Sequence, residues 1–218
     1  MKTIYALGVG HNTPVFIELA EACGYFVKGL YHYTEGRTGE YDHGFEILGS
    51  FDDLFSKQDL SGMNFLLTMG DSRIRCSLSE KIRIKGGNVP SIIDPTAVIS
   101  RFASISETGV YISPFTYVQA DASIGENTVL LDHVNINHTT NIGKGCFIAG
   151  GCTIGAYTRV EDFVFFGQGA LSISGKVQVI GEGAYIGART LVTKSVPKNA
   201  LLVGSPGKVY KIIGNKND

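Results

Sequence analysis

The chain has no apolar run near the ~20 residues needed to cross a bilayer, and no excess of either charge. Its 19 Lys and Arg stand against 20 Asp and Glu, a net charge of -1. The first absence excludes a helical membrane span. The second argues against a nucleic-acid or anionic-membrane partner. Cysteine is scarce: Cys23, Cys76, Cys146 and Cys152 have no framework spacing, which speaks against a disulfide scaffold and for a reduced cytosol. Cys146 and Cys152 are expected to pack as small apolar residues. No signal-peptide cleavage region follows Met1, whose neighbours run straight into a strand pattern, so a cytoplasmic location is expected. Tryptophan is missing, which decides nothing. Glycine is plentiful at 28 of 218 residues, as tight corners demand.

What is present is a period. An apolar residue falls on every sixth position from 112 to 166: Ile112, Val118, Ile124, Leu130, Ile136, Ile142, Ile148, Ile154, Val160 and Phe166. Neither the helical period of about 3.6 nor the strand period of 2 calls for this spacing. It is the mark of a hexapeptide parallel β-helix, in which each six-residue side of a triangular coil sends one apolar side chain to the axis. The row begins at Ile99 and Ile105, slips by one residue, and resumes at Ile112. It breaks after Phe166 and resumes at Ile180, Ile186 and Val192, with two extra residues between, where a loop is expected to bulge. Gly204-Ser205-Pro206-Gly207 is an exit turn. A prism of this kind has long flat faces, and threefold packing of copies covers them, so a homotrimer is expected.

Residues 1–90 read differently. Ile4 to Gly10 is an apolar strand ending in glycines. Pro14 suits the first turn of a helix capped by Asn12 or Thr13. Phe16, Leu19, Ala20 and Cys23 give it an apolar face, and Gly24 ends it. Tyr25–Leu30 and Phe65–Gly70 are further strands, the second followed by a helix from Asp71 or Ser72 to about Lys85. This β-α-β order predicts a parallel, Rossmann-like sheet. The expected architecture is an α/β Rossmann-like domain over 1–90 followed by a left-handed parallel β-helix over 91–218.

The candidate chemistry is sparse. His138 stands two positions after the inward Ile136, near a coil corner, within the uncharged stretch Asn135 to Asn141. An ordinary imidazole, with a pKa of about 6.5, suits proton abstraction near neutral pH; a surface histidine bridging two subunits fits the spacing as well. A metal shared by His133 and His138 has no third ligand in view, whereas zinc wants three or four, so no metal is expected. His32 and His43 are expected to be solvated loop residues. Gly8-Val9-Gly10-His11, between a strand and a helix, fits either phosphate binding at a helix N-terminus or a tight turn alone. The dinucleotide fingerprint is incomplete, because Thr13-Pro14 falls where its third glycine would be. Gly70-Asp71-Ser72-Arg73 repeats the strand-to-helix geometry.

Together the glycine-rich first turn, the Gly-Asp turn, the hexapeptide row and the Gly-x-Pro-type exit resemble the bacterial nucleotide-amino-sugar N-acetyltransferases and sialic acid O-acetyltransferases of the left-handed β-helix class, over nearly the whole chain. That resemblance implies an acetyl-CoA-dependent acyltransferase of polysaccharide or glycan synthesis, with a nucleotide-linked 4-amino-deoxysugar as acceptor and active sites between the subunits of a trimer. It implies His138 as general base, within Asn137-His138-Thr139-Thr140-Asn141-Ile142-Gly143. Thr139 replaces the acidic residue the family often has there. The nucleotide is expected at Val9, Gly10 and His11, at His32 and Tyr33, and at Gly70 and Arg73. Acetyl-CoA is expected at Phe147, Gly167, Gln168, Gly187 and Ala188. A backbone N–H near Gly151 is expected to stabilise the oxyanion. O-acetylation of a sugar hydroxyl, and a metal-dependent or non-catalytic β-helix protein, are the alternatives.

Overall fold

The computed structural model describes residues 2–214. Their contacts define two compact units. One comprises the chain up to Pro95 together with Glu107–Gly109; the other comprises Thr96–Ser106 and the chain from Val110 onward. The last four residues of the domain expected over 91–218 lie outside the described residues.

In the first unit β1 (Lys2–Leu7) pairs in parallel with β2 (Tyr25–His32) on one side and β5 (Phe65–Leu67) on the other. Beyond β2 lie β4 (Phe45–Ser50), parallel to it, and the two-residue β3 (Tyr41–Asp42), antiparallel to β4. The order is β3-β4-β2-β1-β5. Ile4, Ala6 and Leu7 are all fully buried, as a strand covered on both faces requires. Helix α1 (Thr13–Ala22) buries Phe16, Ile17, Leu19 and Ala20. Cys23, expected on that face, is instead half-buried at the helix end, where its thiol donates to Ile93 O (3.1 Å). Gly24 follows at φ +80°.

Residues 33–64 hold elements that the sequence pattern left unassigned: β3, β4 and α2 (Phe51–Ser56). The signal was a capping box. Ser50 Oγ accepts from Asp53 N (2.9 Å), while the Asp53 carboxylate accepts from Ser50 N (2.7 Å). The backbone and hydroxyl bonds from Ser50 hold the Asp53 carboxyl below its ordinary value.

The second unit is a parallel β-helix built from two-residue strands. In the regular coils strand partners stand 18 residues apart, as Ser123 with Asn141 and Phe147 with Phe165, so one coil is three hexads; pairs that span the extra residues stand 19 or 20 apart, as Ser123 with Ser104 and Phe165 with Tyr185. The row Ile112 to Phe166 is buried throughout, each member at most 3% exposed. The row does not break at Phe166. It continues to Ser172, buried at 2%, whose Oγ accepts from Gly155 N (2.8 Å). A polar inward residue hid the sixth-position rule there, and the two extra residues lie later, between Ser172 and Val179.

Two more rows share the period. Two positions before each inward residue is a second buried residue, small or β-branched: Thr116, Ala122, Thr128, Val134, Thr140, Cys146, Cys152, Thr158, Val164 and Ala170. Its threonines donate to a later main-chain carbonyl: Thr116 to Leu131 O (2.8 Å), Thr128 to Gly143 O (2.8 Å) and Thr140 to Gly155 O (3.0 Å), each 15 residues on, and Thr158 to Val177 O (2.9 Å), 19 residues on. Cys146 and Cys152 do the same, to Glu161 O (3.2 Å) and Gly167 O (3.1 Å). These thiols therefore replace threonine hydroxyls as donors and are more than small apolar filler. Burial pushes the Cys152 thiol up to about 11. The third row turns the corners in the left-handed conformation: Phe115, Asp121, Asn127, His133, Thr139, Gly145, Gly151, Tyr157, Phe163 and Gly169, with φ between +55° and +71°.

Candidate active site

The chain leaves β1 toward β2 on one side and later returns to β5 on the other. The carboxyl end of β1 is therefore a topological switch point, where α/β sheets open a crevice. A cleft of about 330 Å³ lies there, lined by Gly8–Thr13, Tyr33, Phe51, Thr68, Met69, Gly70 and Ile74. Its root is dictated by Gly8. With φ +109°, a Cβ there would meet Thr68 Oγ1 at 2.6 Å, so no other residue fits without displacement. Thr13 Oγ1 accepts from Gly10 N (3.0 Å), donates to Gly8 O (3.2 Å) and lies 3.0 Å from Thr68 Oγ1. Thr13 thus organises the turn from inside α1, while Asn12, at the N-cap, makes no side-chain cap bond. The Gly10 amide is engaged by Thr13, so a ligand would meet Gly10 at its bare Cα, beside which a Cβ would find open space.

Of the residues expected to hold a nucleotide, Val9, Gly10, His11, Tyr33 and Gly70 line this cleft; His32 and Arg73 do not. His32 is not a solvated loop residue. It ends β2, is 4% exposed, accepts from Thr34 N at Nδ1 (3.0 Å) and lies against the Tyr33 ring at a tilt of 35°, centroids 4.2 Å apart. It supports Tyr33, which is 75% exposed. His43 is exposed, with Nδ1 3.0 Å from the Asp42 carboxylate. Arg73 is exposed in the first turn of α3 (Ser72–Ile84), whose N-cap Asp71 accepts from Arg73 N and Ile74 N. The arginine that shapes the turn is Arg75. It is fully buried and donates to Met69 O (3.1 Å) and Ser72 Oγ (3.2 Å). Phe51, Met69 and Ile74 supply apolar walls that no sequence motif marks.

On the β-helix, His138 is exposed one position before the left-handed corner at Thr139. Its Nδ1 lies 3.2 Å from Thr139 Oγ1, and its ring meets Tyr157 edge-on, centroids 5.1 Å apart. Its backbone N–H donates to Gln119 Oε1 (3.1 Å). Gln119 Nε2 donates in turn to Asn137 Oδ1 (3.2 Å) and Asn135 Oδ1 (3.4 Å), and Asn137 Nδ2 to Ser174 Oγ (3.3 Å). The surroundings of the imidazole are thus hydroxyl and amide. The Gly151 amide proposed for the oxyanion is already engaged by Asp132 O (2.9 Å). Gly167 and Gly187 N–H are engaged as well, by Ile186 O (2.7 Å) and Leu202 O (2.8 Å), so these amides do not offer the backbone donors expected for a coenzyme. Gln168 and Ala188 are exposed beside them. Phe147 begins an aromatic ladder with Phe165 (5.7 Å) and Tyr185 (4.4 Å from Phe165). Among the described residues no group of three His, Cys, Asp or Glu gathers as a metal site, and no helix is long and apolar enough to cross a membrane.

The relatives of this chain are acyltransferases with a hexapeptide β-helix, and on that likeness the chain is an acyltransferase. It resembles the bacterial nucleotide-amino-sugar N-acetyltransferases over nearly its whole length. GDP-perosamine N-acetyltransferase of Escherichia coli O157:H7 is 29% identical over 176 residues, 79% of this chain and 78% of that protein. The crystal structure of a histidine-to-asparagine mutant of perosamine N-acetyltransferase from Caulobacter crescentus, in complex with CoA and GDP-perosamine, superposes with a TM-score of 0.87 at 26% identity. It covers 96% of this chain and 97% of that one. The acetyltransferase domain of PglB from Neisseria gonorrhoeae shares the fold, with a TM-score of 0.72 at 24% identity over 95% of this chain and 98% of that one. The fold neighbours identify the coil as the left-handed kind. No family model matches the chain.

Proposed function

We propose that this enzyme transfers the acetyl group of acetyl-CoA to the amino group of a nucleotide-linked 4-amino-deoxysugar, with His138 as general base. The observation that carries the reading is the His138 corner, where an exposed imidazole has Nδ1 tied to a neutral hydroxyl. With Thr139 Oγ1 accepting the Nδ1 proton, the tautomer leaves the lone pair on Nε2. The sugar amine attacks the thioester carbonyl carbon, a C–N bond forms and the carbonyl pair moves to oxygen. Nε2 takes the amine proton. Collapse breaks the C–S bond, and the proton passes to the departing thiolate. A base of this kind contributes about 10²–10⁴-fold. Cys146 and Cys152 are buried donors to carbonyls, so neither of these β-helix thiols is presented as a nucleophile.

The cleft at the switch point takes the nucleotide in this reading. Its apolar walls suit a base and its glycine end suits phosphates. The ligands of the perosamine enzymes favour GDP. Acetyl-CoA is assigned to the surface around Phe147, Gln168 and Ala188, in a cleft between copies of a homotrimer, in the cytoplasm. The hydroxyl partner of Nδ1 favours an amine acceptor over a sugar hydroxyl. A carboxylate would make the imidazole more basic, and a hydroxyl acceptor needs the stronger base.

The test is incubation with acetyl-CoA and GDP-, UDP- and dTDP-linked 4-amino-sugars, reading thiol release, product mass and resistance of the product to hydroxylamine. A hydroxylamine-stable acetyl on the GDP sugar is expected. A hydroxylamine-labile product would move the assignment to O-acetylation, and silence across the panel would overturn the acceptor class.

A further inference from the structure

We infer that Gln119 is a positioning residue for His138; the inference rests on the proposed role of His138 as base. The β-helix repeats one problem at each side. The amide two positions after an inward residue points away from the rungs and needs an acceptor. At Lys144 and Ala156 the acceptor comes from the residue 18 further on, in the following coil. Asp162 Oδ1 accepts from Lys144 N, and Ser174 Oγ from Ala156 N, both at 3.0 Å.

His138 occupies the same slot, but the residue 18 positions after it is Ala156, which has no side-chain acceptor. The acceptor comes from the preceding coil instead. Gln119 directly follows the inward Val118, and its Oε1 takes the His138 N–H at 3.1 Å. The fold uses this reverse arrangement elsewhere: Glu161, which directly follows the inward Val160, accepts from Glu182 N at 3.0 Å. At His138 the acceptor is itself held. The Gln119 backbone N–H is bonded to Ile136 O (2.9 Å), and its side-chain amide donates to Asn135 and Asn137. The peptide that carries the imidazole is therefore fixed from the neighbouring coil, by a residue 19 positions away that does not touch the ring.

The same geometry supplies the test. Gln119→Met keeps the length of the side chain and removes its acceptor and donors. Ala156→Ser places a hydroxyl where Ser174 stands relative to Ala156, so it offers His138 the acceptor that its slot has elsewhere. The expected result is a fall in kcat of roughly 10- to 100-fold for Gln119→Met, the scale on which a misplaced catalytic group acts, with the KM for acetyl-CoA unchanged. Gln119→Met/Ala156→Ser should recover most of that loss. A Gln119→Met enzyme with wild-type kcat, or a loss that Ala156→Ser leaves untouched, would overturn the inference. Should Gln119→Met alone not fold, the double variant still decides: it must fold and turn over. His138→Ala, run alongside, separates the two readings. Full turnover there removes the base itself, whereas an inactive His138→Ala beside a normal Gln119→Met removes only Gln119.

Discussion

His133 and His138 stand five residues apart on one coil and differ in nearly every partner. His133 is itself a left-handed corner residue at φ +57°, its amide bonded to a main-chain carbonyl, Pro114 O (3.1 Å). Its Nδ1 faces the Asp132 carboxylate at 3.4 Å, and its ring lies on Phe115, centroids 5.2 Å apart. His138 precedes its corner, has its amide capped by a side chain, and faces a hydroxyl. By residue type alone His133 has the better credentials, because a carboxylate beside an imidazole is the familiar acid–base pair. That pair is more than 60% exposed on both sides, however, and an ion pair in water contributes little. Both amides are held from the preceding coil, 19 residues back; what distinguishes His138 is that a side chain, Gln119, holds it and a neutral hydroxyl faces its ring, so substitution can reach its fixation as it cannot reach the Pro114 carbonyl.

The largest expected effect separates the two histidines directly. His138→Ala should fold and assemble as the parent does and lose about 10²- to 10⁴-fold in kcat, whereas His133→Ala should keep its turnover. Steady-state kinetics on both variants checks this. Next comes Gly8→Ala, which leaves the corner alone and disturbs the other unit. Its Cβ would press on Thr68 Oγ1 at a φ that alanine resists, at a cost of roughly 1–3 kcal/mol. Thermal unfolding and the sugar-nucleotide KM should both worsen, with acetyl-CoA binding unaffected.

Thr139→Asp gives His138 the partner that His133 already has. A carboxylate beside Nδ1 stabilises the imidazolium, so the free base forms only at higher pH. The acid limb of kcat/KM should therefore move to higher pH, by up to roughly one unit. Thr139→Val, which keeps the shape and removes the hydroxyl, should lower kcat by about tenfold through a free-turning ring. An unchanged profile in both variants would detach Thr139 from the imidazole. The smallest effect belongs to Cys152. Cys152→Thr keeps the donor to Gly167 O and should alter stability by less than about 1 kcal/mol, measured by denaturant unfolding. In the folded parent Cys152 should resist thiol reagents at pH 8, since a thiol pushed to about 11 is ionised only to roughly one part in a thousand.

How much of this was legible follows from the physics of each signal. The inward row was readable because burial on a fixed period forces apolar residues, and it failed at Ser172, where a hydroxyl satisfied by Gly155 N took the same place. The second buried row carries no polarity pattern in the sequence, because threonine, cysteine, alanine and valine share size rather than polarity. The corner at Thr139 left no local trace, since the coil imposes a conformation that a β-branched residue does not choose. Gln119 was hidden for a related reason: its partner is one coil away, and no motif spans 19 residues. In the first unit the glycine turn stood out, but β4 and α2 did not, and they bring Phe51 to the cleft. His32, read as a loop residue among tyrosines, proved to be the buried end of β2, because the strand runs two residues beyond the expected Leu30.

The central claim is that the His138 imidazole takes the proton from the attacking amine, and chemical rescue tests it most directly. His138→Ala should be assayed with acetyl-CoA and the GDP-linked amino-sugar at rising imidazole concentration. The account predicts a residual rate that climbs in proportion to free-base imidazole, with none for His133→Ala, which needs no rescue. A His138→Ala enzyme that turns over at the parent rate without imidazole would contradict it. So would one that binds both substrates normally and stays unresponsive to imidazole.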